Sequence, residues 1–141
     1  MASTFQINAD AQNAMCNALV DRLDLGGDAA TLRFHKGAEP ASCAAADTST
    51  PLAILPMTFP AAFGDAVAGV ATADTITPTA AIGSGECTHF RCRDSIGVTV
   101  FQGSAGLAAS DPDAVFDDPT IVALGLVSVT LFTVTVPASK E

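Results

Sequence analysis

The sequence contains no tryptophan and no tyrosine. Sugar-binding sandwiches commonly offer flat aromatic faces, and antibody-like paratopes use Tyr as a rigid anchor, so both readings lose weight. Base is also scarce: Arg22, Arg33, Lys36, Arg91, Arg93 and Lys140 are the whole cationic inventory against fifteen Asp and Glu, for a formal net charge of -9. Proteins that grip nucleic acid displace counterions from phosphates with clustered cations, and six scattered ones oppose that reading. Long apolar runs are missing too. No stretch has the length of a membrane-spanning helix, and no basic amphipathic face suits a bilayer surface. The opening MASTFQINADAQNAM has neither a basic n-region nor a continuous apolar h-region, so the expectation is maturation in a cytoplasm with reduced cysteines at 16, 43, 87 and 92.

Signature motifs are equally sparse. The chain has no CxxC pair, no GxGxxG, no Walker loop and no GxSxG elbow, so the usual scaffolds for zinc, dinucleotides, phosphates and a serine nucleophile are not announced. What is present suffices for one folded domain: 141 residues, 49% hydrophobic and 15% charged, a composition that buries a single core and disfavours disorder.

Residues 9–24, ADAQNAMCNALVDRLD, carry a helical period. Ala11, Ala14, Met15, Ala18, Leu19 and Leu23 fall on one stripe expected to face the core, with Asn8 or Asp10 capping the start and Gly26-Gly27 stopping the helix. After the glycines the period becomes two, and 30–35 reads as a half-buried strand. Further strands are expected at 52–57, 66–72, 75–82, 88–93, 98–102, 121–124 and 127–136. The stretches 36–50, FGD, GSGE, DSIG, QGSAG and SDPDAVFDDP between them have turn or loop chemistry. The apolar parity of VSVTLFTVTV switches near Leu131, which implies a bulge or burial on both faces. Several short strands at this spacing predict an all-β antiparallel sandwich with one N-terminal helix, residues 1–8 forming an arm and 9–141 the domain.

Candidate chemistry concentrates in GECTHFRCRDSIG, residues 85–97. Cys87, His89 and Cys92 are suitable zinc ligands, but side chains alternate along a strand and place Cys87 and Cys92 on opposite faces, where they cannot share a metal. A Cys–His dyad with His35 or His89 as base has no surrounding signature in its favour. Asp111, Asp113, Asp117 and Asp118 could attract calcium, yet they lack the spacing of an ordered Ca²⁺ loop and read as a solvated acidic turn. The expectation is therefore no metal, no cofactor and no enzyme activity.

Four phrases, STFQINADAQNAMCNALVDRLDLGGDAATLRFHKGAEPAS, FGDAVAGVATADTI, FRCRDSIGVTVFQGSAGL and VSVTLFTVTVP, together resemble the capsid cement, or decoration, proteins of short-tailed phages. Within them Phe90, Arg91, Arg93, Asp94 and Gly97 match an aromatic, Arg-x-Arg-Asp, turn, Gly arrangement, with Cys92 in a modest packing position. The resemblance implies a jelly-roll-like sandwich, a homodimer, and attachment to the outside of an HK97-like shell. It also implies the major capsid protein as partner and the virion surface as location, with assembly in the host cytoplasm. Its candidate capsid or dimer interface comprises Phe5, Ile7, Arg91 and Arg93. The segment 2–7 reads either as a docking arm or as a first edge strand, and loops 36–50 and 107–119 are further contact candidates. A tail or baseplate sandwich and an outer-surface glycan-binding module are the alternatives.

Overall fold

The helical signal is realised as α1, Ala9–Asp21, in a computed structural model that describes residues 5–110 and 112–137. Ala2, Asp111 and Lys140, which figure in the readings above, lie outside the described residues. Asn8 caps the helix: the Ala11 N–H donates to its side-chain oxygen at 2.8 Å, satisfying one of the orphan donors of the first turn. A 3₁₀ turn at Arg22–Asp24 closes the helix, and the chain leaves through Gly26 at φ +102°, where a Cβ would lie 2.2 Å from Ser95 Oγ.

The helix docks on a different face from the one its apolar stripe predicts. Of the stripe, Leu23 is buried and Leu19 half-buried as expected, but Ala11, Ala14 and Ala18 are exposed and Met15 is 54% exposed, while Gln12, Cys16 and Val20 are buried instead. The reason is polar. Gln12 Nε2 donates to the Val136 carbonyl at 2.6 Å, Asn13 Oδ1 accepts from the Gly69 N–H at 2.8 Å, and Asn17 Oδ1 accepts from the Ala66 N–H at 2.7 Å. Backbone groups without ladder partners must be satisfied somewhere, and here the helix side chains supply those bonds. Alanine methyls offer too little area to compete with them.

The strands are β1 Thr31–His35, β2 Ala53–Pro56, β3 Val70–Thr72, β4 Thr79–Ala80, β5 Gly85–Glu86 and β6 His89–Arg93. They continue as β7 Thr99–Leu107, β8 Ala114–Phe116, β9 Thr120–Ile121, β10 Leu126–Val127 and β11 Thr133–Thr135. A five-stranded sheet runs β2-β1-β6-β7-β8, antiparallel except for the parallel β7–β8 pair, and three two-stranded ladders pair β10 with β4, β11 with β3, and β5 with β9. The chain is thus all-β with one short helix, in antiparallel and mixed sheets.

Several boundaries depart from the sequence expectation: the strands expected at 66–72 and 75–82 shorten to β3 and β4, and the end of GSGE, expected as a turn, pairs as β5 with β9. QGSAG is the second half of β7 and not a turn, because Gly103 faces Phe90 in register and leaves room for its ring: a Cβ there would meet the ring at 2.8 Å. AVF inside SDPDAVFDDP forms β8, held as Ser104 donates to Asp113 Oδ2 through both N–H and hydroxyl. The 127–136 run is two strands in two ladders, so the parity switch marks a break between β10 and β11. Phe132 lies in that break and packs edge-on against Phe63 and Phe90, with centroids 5.7 Å away in each case.

One apolar cluster joins α1, the main sheet and the ladders, with Leu23, Leu32, Leu52, Leu55 and Cys92 fully buried. Each such leucine contributes about 1.5–3 kcal/mol by leaving water.

Candidate functional site

Strand β6 places the candidate chemistry, and its register against β1 fixes what each residue meets. Cys92 pairs with Leu32 and Phe90 with Phe34, so these four join the apolar core; Arg91 pairs with Arg33 and His89 with His35 on the alternate positions. Both sides of β6 are buried, since His89, Arg91 and Cys92 have no exposed area. A strand that should be half-buried is enclosed because loop 36–50 folds over its polar side.

Arg91 holds that loop. Its guanidinium donates to Asp47 Oδ1 at 2.5 Å and to the carbonyls of Ser42, Cys43 and Ala45 at 3.3, 2.9 and 3.0 Å. Arg93 donates to the same Asp47 oxygen at 2.5 Å. Gln102 and Thr88 add bonds to the carbonyls of Pro40 and Gly37, at 2.7 and 2.6 Å. Five fixed donors on a planar fork suit Arg to gathering loop carbonyls, which Lys could not span. Arg91 and Arg93, two positions apart on the same side of β6, repel, and the Asp47 carboxylate that both contact relieves this.

Asp47 responds accordingly. Burial pushes its carboxyl up, but the Arg91 hydrogen bond and the charge of Arg93 outweigh that, leaving it below the ordinary value. His35 and His89 stack with centroids 5.1 Å apart and planes 10° apart. Burial first of all lowers both imidazoles; Asp47 partly opposes this for His35, as Glu39 does for His89. The pair therefore sits neutral at pH 7, with His35 Nδ1 3.2 Å from the Ser49 carbonyl and both Nε2 atoms without a hydrogen-bond partner.

The thiols are shielded as well. Burial pushes Cys87 up to about 12 and raises Cys92 too, while Cys87 Sγ donates to the His89 carbonyl at 3.6 Å. A thiolate is the nucleophile and the metal ligand, and this setting disfavours it. Among the described residues no group of three or more His, Cys, Asp or Glu could hold a metal ion, and no helix is long and apolar enough to cross a membrane.

The four candidate interface residues fall in two places. Phe5 is 68% exposed and Ile7 half-buried just ahead of α1, while Arg91 and Arg93 converge on Asp47, Arg91 wholly inside its own chain. Any outward contact from β6 passes through Arg93 alone of that pair.

Sequence reasoning missed the more open surface. A groove of about 1260 Å³ runs between β8 and the segment 125–135, floored by Phe34, Phe90, Phe101 and Phe132. Beside it Val122, Leu124 and Leu126 stand exposed, with Leu124 87% exposed and at φ +71°. A non-glycine residue with positive φ is uncommon, and here it displays a leucine to water. The signal available in the sequence was the apolar content of 121–131, which reads as strand interior.

No family model, no curated protein and no solved structure matches the chain.

Proposed function

We propose that the chain is a structural virion protein that binds the outer surface of an HK97-like phage capsid and cements neighbouring capsomers. The observation that carries the reading is where the chain places its side chains. Ionisable and nucleophilic groups of β6 serve internal packing, while large apolar residues between 115 and 131 face water on a β-rich body. Exposed apolar surface of this kind marks sites that bind other macromolecules. The sequence phrases that resemble phage cement proteins supply the kind of partner, the major capsid protein, and we read the sheet and ladders as a jelly-roll-like sandwich acting as a homodimer.

The mechanism is adhesive. A dimer touching two capsomers raises the effective concentration of its second contact, and the lattice repeats that gain across the shell. Because the protein binds the assembled state, it stabilises that state by mass action against packaged-DNA pressure. A net charge of -9 keeps free subunits soluble and away from DNA.

The test is co-sedimentation of the purified chain with emptied heads of the phage that encodes it. Saturable binding to heads with none to tails is expected. Binding to tails or baseplates alone, or to neither, overturns the reading.

A further inference from the structure

The phenylalanine-floored groove has three properties that together define an occupant. It exceeds the roughly 300–1,000 Å³ typical of small-molecule sites. One wall is β8, which has β7 on one side and, among the described residues, no strand on the other. Its lining includes Asp113, Asp117 and Asp118 and no Lys or Arg. A free sheet edge beside an apolar trough is the setting in which an extended segment adds as a further strand, main-chain bonds giving affinity and alternate side chains filling pockets.

The charge of the rim selects among occupants. A second copy pairing symmetrically at this groove would set the three carboxylates against their own counterparts with no Lys or Arg in the lining to offset them, and like-charge juxtaposition suppresses association there, which leaves the proposed homodimer to another face. We infer that the groove binds an extended segment of a different protein, with apolar side chains at alternate positions and Lys or Arg at its ends, laid along the edge of β8. The apolar side chains enter the trough over the partly exposed Phe101 and Phe132, and the basic ends meet Asp117 and its neighbours. This goes beyond the capsid reading, since it states the partner's chemistry whichever particle supplies it.

Synthetic peptides of about ten residues, close to a long strand, test it against the intact chain by fluorescence anisotropy. One set alternates Val, Ile or Leu with Thr and carries Lys or Arg at both ends; a second set has the same core with Glu ends. The basic set is expected to bind at least about tenfold more tightly. Asp117→Lys combined with Val115→Lys, both at exposed positions, should reverse that preference while circular dichroism stays unchanged. N-methylation of alternate peptide nitrogens should abolish binding. Equal binding of the two sets, no binding by either, or undiminished binding after N-methylation would each overturn the inference. So would self-association that Leu126→Asp disperses, because the occupant would then be a second copy. A chain that coats heads yet binds no peptide sinks this inference and leaves the cement reading standing.

Discussion

Strand β6 with its covering loop and the segment 112–137 place opposite residue types against the usual expectation. On β6 the polar groups are inside: Arg91 has no exposed area and makes four hydrogen bonds within the chain. Along 112–137 Ile121 and Val127 are buried but Val115, Leu124, Leu126 and Leu131 are each more than half exposed, and the strands there are two or three residues long. The first region is enclosed by its own chain, with Arg91 engaged in internal bonds although both imidazole Nε2 atoms stay unpartnered. The second has surface left over, which is the mark of a region completed by something else. The contrast teaches that the chemistry-like stretch and the exposed apolar surface are different places.

The largest effect expected comes from breaking the internal region at its centre. Arg91→Ala leaves Asp47 without its main partner and frees three loop carbonyls, so urea melts should show a loss of about 3–5 kcal/mol. Gly103→Val should come next, at roughly 1–3 kcal/mol, because its side chain enters the space of the Phe90 ring. Cys92→Ser should cost a similar 1–3 kcal/mol or so by burying a hydroxyl among apolar neighbours, with no activity lost.

Acid sharpens the comparison in a different way. The folded values of His35 and His89 lie below that of an unfolded histidine, so the unfolded chain takes up protons first as pH falls. Stability is fully present above about pH 6.5 and declines below it. Asp47, also lowered, adds a second loss as pH falls below about 4 through its folded value. Thermal melts between neutral and mildly acid pH should show the first decline, and His89→Gln should flatten it. The smallest effect belongs to the outer region. Leu124→Gly relieves a positive φ and removes an exposed side chain, so stability should move by less than about 1 kcal/mol. Binding to heads, measured by co-sedimentation, should nonetheless weaken.

Local pattern made β1 and β6 legible, because each alternates over its own few residues, the short apolar run between prolines marked β2, and Asn8 and Gly26 bounded the helix by their own chemistry. Contacts remote in sequence were not legible. Arg91 meets Asp47 across 44 positions, inside a stretch of small residues that reads as solvent loop, so nothing nearby announces a buried arginine. The helix face was hidden for a related reason: Gln12, Asn13 and Asn17 dock through backbone groups of 66–69 and 136, and hydrophobic periodicity does not register such bonds. Strand β8 was masked by the Asp and Pro residues around it. The groove depends on Phe34, Phe90, Phe101 and Phe132, which only the fold brings together.

The role proposed for this chain is that of a cement on a phage head, and cryo-electron microscopy of purified virions carrying the chain tests that proposal most directly. The account expects density for the chain on the outer capsid surface at capsomer junctions, at lattice-wide occupancy, with the 112–137 face covered. Heads bare of the chain, or density confined to the tail, would contradict it.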